Sequence, residues 1–284
     1  MRVLVTGVTG QLGYDVCRVL KTRRIEYRGI GSAQLDITQA SFVSTYLADY
    51  RPDAVIHCAA YTAVDKAESE RERCFAVNES GTRNLAKACQ TVGAKMLYPS
   101  TDYVFPGVGE TAYEVDDVTG PQNAYGASKL AGEKAVRETL PEHFIVRISW
   151  VFGVNGKNFI KTMLRLAESH SELNVVCDQI GSPTYTADLA PLLCDMIATE
   201  QYGTYHATNE NLCSWAEFAQ EIFRLSGKNV TVHPIPTSEY PAAAARPLNS
   251  RLSKQSLDAG GFPRLPDWQD ALARYLYEIE DLHR

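Results

Sequence analysis

The 284-residue sequence predicts an α/β fold in which a doubly wound parallel sheet of the Rossmann type is joined to a smaller, mixed C-terminal lobe. Three observations support this fold class. Apolar runs with few polar interruptions alternate with helix-like stretches over the first 150 residues. A glycine-rich loop follows the first of these runs, and proline becomes frequent in the last third of the chain. Uninterrupted apolar strands between helices are typical of a parallel sheet that is covered on both faces.

The first half of the chain accounts for the sheet. Parallel strands need a crossover connection, usually a helix, so strands and helices must alternate. Strands are expected at 3–6, 53–59, 94–99 and 144–149, and helices at 11–20, 78–92 and 124–139. This order predicts a Rossmann domain over residues 1–152.

The second half of the chain differs in its predicted elements and in its proline content. Helices are expected at 158–168, 188–198 and 215–225, with a short strand-like run at 174–177. Prolines cluster between residues 233 and 266, and because proline cannot continue a ladder or a helix interior, we expect ordered surface segments there. We interpret residues 153–284 as a smaller substrate-binding lobe that folds over the open edge of the sheet, with chain crossings between the two lobes.

Composition excludes several classes of protein. A net charge of −6 and a pI near 5.6 argue against a nucleic-acid partner. Apolar runs fall far short of the roughly 20 residues that span a bilayer, and no signal-peptide pattern follows Met1, so we expect a cytoplasmic protein with no membrane partner. The seven cysteines lack Cys-x-x-Cys spacing, which indicates free thiols and no protein-built metal site.

The glycine-rich loop is the first functional motif. Gly7, Gly10 and Gly13 lie between the first strand and the first helix. Glycines there permit a tight turn and a close backbone approach, and the helix N-terminus offers free N–H groups to a pyrophosphate. The position predicts dinucleotide binding, although glycines that only cap a turn would look the same in isolation.

The choice between NADH and NADPH stays open in the sequence. NAD-selective proteins hold the adenosine ribose with an acidic residue after the second strand, but segment 28–32 contains none. Asp36 and Ile37, a few residues further on, are better placed to reach the adenine. Either cofactor is therefore compatible with this segment.

A tyrosine, a lysine and a threonine form the candidate catalytic group. Tyr125 and Lys129 are four residues apart and so share one face of the helix expected at 124–139. A lysine ammonium can lower the pKa of a nearby phenol, which would serve to protonate a nascent alkoxide. Thr101 ends the strand before this helix, where its hydroxyl could bond the substrate carbonyl. Each feature alone has a structural explanation: a solvated helix face, or a strand-end turn.

Ten short motifs together resemble the extended short-chain dehydrogenase/reductases. Within that family they are most similar to the branch that reduces 4-keto deoxysugars linked to a nucleotide. The motifs spread over nearly the whole chain, at 6–13, 57–62, 63–68, 77–82, 100–105, 125–129, 147–151, 158–163, 178–184 and 243–247.

The resemblance implies both a reaction and a set of site residues. The reaction is hydride transfer from NADH or NADPH to C4 of dTDP-4-dehydro-L-rhamnose, giving dTDP-L-rhamnose for polysaccharide biosynthesis. The implied cofactor site comprises Gly7, Gly10, Gln11, Leu12, Gly13, Asp36, Ile37, Ala59, Ala60, Tyr61, Thr62, Asn78, Ser100, Tyr125 and Lys129. The implied site for the nucleotide sugar comprises Val64, Thr101, Asp102, Tyr103, Trp150, Asn158 and Arg246.

Some members of the family hold a magnesium ion through glutamates at a dimer interface. Asp15 stands where one such glutamate is expected, so the sequence assigns no metal ligand and leaves monomer and homodimer open. Three site residues keep structural alternatives: a core aromatic for Trp150, a helix N-cap for Asn78, and a solvated loop charge for Arg246. Two other functions also stay open, a redox-neutral nucleotide-sugar 4-epimerase or dehydratase, and a non-catalytic regulatory relative that only binds cofactor.

Overall fold

The computed structural model describes residues 1–282, and a parallel sheet lies at its centre. The sheet has six strands in the order β10-β5-β4-β3-β1-β2, and every neighbouring pair is parallel. The predicted fold class is confirmed. Its strands are β1 Arg2–Thr6, β2 Glu26–Ile30, β3 Ala54–His57, β4 Lys95–Thr101, β5 His143–Ile148 and β10 Gly203–His206.

Helices cover both faces of this sheet. On one face α1 (Gln11–Thr22) and α8 (Thr186–Met196) pack together over strand residues such as Val5 and Val146. On the other face α2 (Ala40–Tyr50), α5 (Thr82–Val92) and α6 (Ala124–Thr139) bury a second apolar cluster. Short helices α3 (Val64–Ser69) and α4 (Arg71–Phe75) fill the connection after β3. Burial on both faces explains why these strands read as unbroken apolar runs.

The chain leaves the sheet after β5 and later returns to it. Between β5 and β10 it passes through the C-terminal lobe, and then α8 and β10 complete one face and one edge of the sheet. Leu189, Tyr205 and Leu257 share a single apolar cluster with Val5 of β1. The predicted domain boundary at residue 152 stays a prediction, because the two parts share this core. The predicted chain crossings between the lobes likewise stay a prediction.

The C-terminal lobe is built around three helices and three small sheets. Helices α7 (Phe159–Leu166), α9 (Trp215–Leu225) and α11 (Trp268–Asp281) surround an aromatic cluster that includes Phe152 and Tyr185. Helix α10 (Gln255–Ala259) lies beside β10. The sheets are β11-β8-β13, β12-β7 and β6-β9, with strands β6 Val151–Phe152, β7 Glu172–Val176, β8 Ile180–Gly181, β9 Thr184–Tyr185, β11 Cys213–Ser214, β12 Thr231–Ile235 and β13 Asn249–Ser250.

Several expected elements differ from the structure. The helix expected over 78–92 begins as a π-helical turn at Ala76–Gly81 and becomes α-helical only at Thr82. The segment rich in proline was expected to form no ladder, yet Pro234 lies within β12. Within residues 1–282 that strand pairs with β7 alone, so the nitrogen of Pro234, which carries no hydrogen, can lie on the unpaired edge. No helix within residues 1–282 is long and apolar enough to cross a membrane.

Candidate active site

A cleft of about 820 Å³ opens at the carboxyl ends of the central strands. Its floor is formed by residues at the ends of β1, β3, β4 and β5, and its far wall by Trp150 and Trp215. Ligands of open α/β sheets bind at this edge. Most of the residues predicted for cofactor and substrate line the cleft: Gly7, Gly10, Gln11, Leu12, Gly13, Asp36, Ile37, Ala59, Ala60, Tyr61, Thr62, Val64, Ser100, Thr101, Asp102, Tyr103, Tyr125, Lys129 and Trp150. Asn78, Asn158 and Arg246 do not line it.

The glycine loop forms a tight cradle at one end of the cleft. Gly7 has a φ of +70°, and a Cβ there would lie 2.5 Å from the backbone nitrogen of Ala59. A Cβ on Gly13 would lie 2.5 Å from the carbonyl oxygen of Gly7. Helix α1 begins after Gly10 with no side-chain cap, and its first residues, Gln11, Leu12 and Gly13, line the cleft. The loop therefore suits a bound pyrophosphate.

A loop from the C-terminal lobe closes over the glycine cradle. The side-chain amide of Asn155 donates to the carbonyl oxygens of Thr9 and Gly10, at 2.9 and 3.2 Å. Gln11 Oε1 accepts from the Gly153 backbone nitrogen and from Asn158 Nδ2. Asn158 also caps α7, since its Oδ1 accepts from the Lys161 backbone. Its contacts thus join the two lobes and do not place it on the substrate side of the cleft.

Asn78 braces the wall of the cleft from behind. Its Oδ1 accepts from the backbone nitrogen of Tyr61 at 2.8 Å, and its Nδ2 donates to the Tyr61 carbonyl and to Ser128 Oγ. Asn78 is buried in the π-helical turn, so the alternative interpretation as a helix N-cap is wrong. The Asn78 amide therefore fixes the backbone of Tyr61, which lines the cleft, while Asn78 itself is buried.

Tyr125 and Thr101 lie at the centre of the cleft. Tyr125 is the second residue of α6, whose N-cap Asn123 accepts from the Gly126 backbone at 2.7 Å. Tyr125 is half-buried, and loss of surrounding water raises the pKa of its phenol well above 10, while the Thr101 hydroxyl partly offsets this rise. The phenol is therefore protonated at neutral pH. Thr101 is buried, and its hydroxyl donates to Asp102 Oδ1 at 3.1 Å.

Lys129 lies one turn after Tyr125 and is also buried. Its ammonium donates to the Pro99 carbonyl at 2.7 Å and lies 3.8 Å from the centre of the Tyr98 ring. Burial lowers the pKa of Lys129 to about 7, although the Glu133 carboxylate opposes that shift. Loss of water dominates at the phenol and raises its pKa, so the lowering of the Tyr125 pKa by Lys129 stays a prediction.

A buried ion network supports the helix that carries these residues. Glu133 is fully buried and accepts two hydrogen bonds from Arg147 at 2.9 Å, one from Ser100 Oγ at 2.6 Å, and one from Arg137 at 2.9 Å. These partners keep the pKa of Glu133 below its ordinary value although burial opposes this. Because Ser100 precedes Thr101, the network fixes the end of β4 against α6.

Asp102 is a buried carboxyl group directly behind Thr101. Its side chain is 2% exposed, and burial raises its pKa to about 6. Oδ1 accepts the hydrogen bond from Thr101, whereas Oδ2 has no hydrogen-bond partner within residues 1–282. The carboxylate is therefore poorly satisfied at neutral pH.

Two stacked tryptophans form the aromatic wall of the cleft. Trp150 and Trp215 lie with ring centres 3.8 Å apart and planes at 15°. Trp150 has a left-handed backbone with φ +48°, which is rare for an aromatic residue and turns its indole out of the β5 direction. Trp215 starts α9 behind a capping box between Ser214 and Glu217. Trp150 therefore lines the cleft and also packs, half-buried, against the aromatic cluster of the C-terminal lobe.

Arg246 lies beside the cleft in an ion pair. Its Nη1 and Nη2 donate to the two carboxylate oxygens of Asp65, at 3.0 and 2.7 Å. The pKa of Asp65 falls to about 2, because Arg246 hydrogen-bonds the charged form. Arg246 is therefore an ion-paired side chain with 23% of its surface exposed, which does not fit the alternative of a solvated loop charge.

The part of the cleft that follows β2 lacks a carboxylate directly after this strand. Gly31 and Ser32 line it, and the Gly31 backbone donates to Gln34 Oε1 at 3.0 Å. Asp36 also lines the cleft, but its Oδ1 accepts from the backbone and hydroxyl of Thr38, which lowers its pKa. No carboxylate at residues 31 or 32 repels a phosphate on the ribose.

The position implied for magnesium holds a cation of the protein itself. Arg18 Nη1 donates to Asp15 Oδ1 at 3.0 Å and to Glu278 Oε1 at 2.7 Å. Thr186 and Tyr185 donate to the remaining oxygens of these carboxylates. These residues do not fit a magnesium ion, because a guanidinium already bridges the acids. No cluster of three or more His, Cys, Asp or Glu side chains within residues 1–282 is arranged to hold a metal.

Sequence reasoning missed several residues of the cleft. Thr9, Ser32, Arg73, Lys157 and Trp215 all line it. Trp215 had a detectable signal, since Ser214 and Glu217 form a capping box that places Trp215 at the first turn of α9. Lys157 follows Gly156 in the loop over the glycine cradle, and only the fold brings it to the cleft.

Several known proteins are similar to this chain over nearly its whole length. A family model described as RmlD substrate binding domain matches residues 1–280. The chain is 44% identical over 278 residues to a dTDP-4-dehydrorhamnose reductase of Streptomyces griseus, covering 95% of this chain and 91% of that protein. It is 40% identical to the spore coat polysaccharide biosynthesis protein SpsK of Bacillus subtilis (strain 168), covering 98% and 97%.

A solved structure shares both fold and sequence with this chain. It is dTDP-4-dehydrorhamnose reductase from Bacillus anthracis str. Ames in complex with NADP, with a TM-score of 0.95 and 46% identity over 98% of this chain and 99% of that chain. Fold and site thus define an NAD(P)-dependent oxidoreductase of the extended short-chain dehydrogenase/reductase class, which confirms the resemblance seen in the sequence. The chain belongs to the RmlD substrate binding domain family.

Proposed function

We propose that this protein reduces the 4-keto group of dTDP-4-dehydro-L-rhamnose to give dTDP-L-rhamnose, with NADPH or NADH as the reductant. The observation that carries the proposal is that Thr101, Tyr125 and Lys129 meet in one cleft beside a glycine cradle. The names of the relatives above support the same reaction. A redox-neutral epimerase or dehydratase would share much of this cleft, so the experiment below distinguishes them.

The cradle and the cleft fit a dinucleotide with its nicotinamide near Tyr125. When bound, the cofactor supplies the hydride. Gly10, Gln11 and Leu12 would present the first N–H groups of α1 to the pyrophosphate, while Asp36 and Ile37 lie at the adenine end. Ala59, Ala60, Tyr61 and Thr62 would form the wall along the cofactor, and their backbone is fixed by Asn78 at Tyr61.

Tyr125 would act as the proton donor. Its phenol is protonated at neutral pH, so it can deliver a proton to the oxygen that becomes the new hydroxyl group. Thr101 would donate a hydrogen bond to the same oxygen after its hydroxyl turns away from Asp102 Oδ1, to which it donates in this structure, and this bond increases the positive charge on C4. Lys129, whose pKa is about 7, would stabilise the phenolate left on Tyr125 when it is charged.

The nucleotide sugar would occupy the cleft between α3 and the aromatic wall. Val64, Asp102, Tyr103 and Trp150 line this part. Arg246 would hold the diphosphate, because a guanidinium fits phosphate oxygens with a planar pair of donors. It lies just outside the lining, next to Asp65 of the helix that begins at Val64.

The direct test is a set of reductase assays with NADH or NADPH and several nucleotide-linked 4-ketosugars. We expect stoichiometric oxidation of NADPH with the dTDP-linked ketosugar and formation of the 4-hydroxyl product. An epimerase or dehydratase would convert its sugar without consuming added NADPH. A chain that binds NADPH and turns over none of the sugars would contradict the proposal and favour a regulatory role.

A matched pair of variants tests the role of the tyrosine. Tyr125→Phe removes the donated proton but keeps the ring, so kcat should fall by roughly 10² to 10⁴ with little change in NADPH affinity. Tyr277→Phe alters an exposed tyrosine on α11 and serves as the control. Turnover of Tyr125→Phe at the control rate would remove this residue from the mechanism.

A further inference from the structure

Two motifs from different lobes meet beside the cleft. They are segments 63–68 and 243–247, which lie in different lobes and almost 180 residues apart. Asp65 Oδ1 accepts from the Ala244 backbone nitrogen at 3.1 Å, and both of its oxygens accept from Arg246. Arg246 Nη1 also donates to the Ala244 carbonyl at 3.2 Å. We call segment 243–247 the strap.

The strap is also fastened to the start of the helix that carries Tyr125. Asn123 Nδ2 donates to the Ala245 carbonyl at 2.7 Å, while Oδ1 of the same residue caps α6. Glu68, one turn after Asp65, accepts from the Ala124 backbone at 2.7 Å. The first turn of α6, helix α3 and the strap therefore form one hydrogen-bonded unit beside the cleft.

The geometry of the ion pair leaves part of the guanidinium available. Arginine has five N–H donors, and three of these contacts go to Asp65 and Ala244. Within residues 1–282 no hydrogen-bond acceptor is paired with the Nε–H of Arg246. The carboxylate thus fixes the plane of the guanidinium from one edge, and the edge formed by Nε and Nη2 stays free for a second anion.

We propose that Asp65 is a positioning residue, which orients Arg246 and the strap so that the free edge of the guanidinium receives the diphosphate of the nucleotide sugar. This inference rests on the proposed function. Preorganisation matters because an unrestrained arginine would lose side-chain freedom on binding, which weakens the complex. Asp65 would not contact the substrate itself.

The test compares Asp65→Asn with a matched control elsewhere in the chain. Asp258 forms a similar two-contact pair with Arg264, at 2.9 and 2.6 Å, far from the cleft lining. We expect Asp65→Asn to raise the KM for the ketosugar and the Kd for dTDP at least tenfold, with the KM for NADPH within twofold of wild type. Asp258→Asn should leave all three values within twofold. Asp65→Glu should recover part of the affinity.

A double-mutant cycle shows whether Asp65 acts through Arg246. Arg246→Ala alone should lower kcat/KM for the ketosugar, and adding Asp65→Asn should change it by less than twofold further, because the residue to be positioned is gone. Independent, multiplicative losses would overturn the inference, as would an unchanged dTDP affinity in Asp65→Asn. A rise in the KM for both substrates with a lower Tm than the control variant would assign Asp65 to structure alone. Failure of the proposed function has a different signature, namely no ketosugar reduction by the wild-type protein.

Discussion

The buried carboxyl group of Asp102 should make the protein less stable as pH rises. The pKa of Asp102 is raised from 3.8 to about 6, and its side chain is 2% exposed. The folded state therefore binds this proton more tightly than the unfolded state does, so the free energy of unfolding falls as pH rises from about 4 to 6 and levels off above. The full difference corresponds to about 3 kcal/mol at 25 °C.

Asp102→Asn isolates this effect, because asparagine keeps the shape and can still accept the hydrogen bond from Thr101. Urea unfolding of both proteins from pH 4 to pH 8 gives the difference in unfolding free energy at each pH. Relative to wild type, the variant should gain about 2.4 kcal/mol between pH 4 and pH 7, because part of the full difference lies below pH 4. For Asp258→Asn, the difference in unfolding free energy from wild type should change with pH in the opposite direction, since Arg264 lowers the pKa of that exposed carboxyl group. A difference for Asp102→Asn that is constant with pH, or that grows toward acid, would refute the reasoning.

Three further outcomes are expected. Because Ser32 and its neighbours offer no carboxylate to the ribose, kcat/KM with NADPH should be at least comparable to that with NADH; a preference for NADH above about a hundredfold would contradict this. Lys129→Met should lower kcat and NADPH affinity together, and a change in only one of them, by stopped-flow and titration, would separate its two roles. Gly132→Ala should lower the unfolding free energy by about 1–3 kcal/mol, since the added Cβ would overlap Tyr98 Oη and the Asn78 carbonyl. Helix propensity alone predicts a higher unfolding free energy for alanine, and such an increase would disprove the overlap.

The parts of the fold predicted from the sequence are those with a local signal. Helix 124–139 was predicted with the bounds that the structure has, because Asn123 supplies an N-cap and the apolar spacing continues for four turns. Helix α2 was missed, since neither its N-cap Gln39 nor its C-cap Arg51 carries a usual boundary signal. The π-helical turn at Ala76–Gly81 was also missed, because the contacts of Asn78 that accompany it reach across the fold.

The predicted site residues also fall into those with a local sequence signal and those without one. Residues within a motif, such as Tyr125 and the glycines of the cradle, were assigned correctly to the cleft because their neighbours in sequence are their neighbours in space. Asn158 and Arg246 were assigned on resemblance to substrate binding, yet their side-chain partners are Gln11 and Asp65, 147 and 181 residues away. No local pattern reports such a contact. The role of Arg246 in gripping a diphosphate stays a prediction.

The late return of the chain to the central sheet bears on how the protein is synthesised. Strand β5 ends at Ile148, but its outer neighbour β10 ends only at His206. At about 5–20 residues per second, the ribosome needs roughly 3–12 s to add the intervening chain. During that interval β5 is an open edge, and α1 lacks the cover of α8. Nascent chains paused before His206 therefore present an unpaired strand and an apolar helix face, the surfaces that chaperones recognise and that promote aggregation.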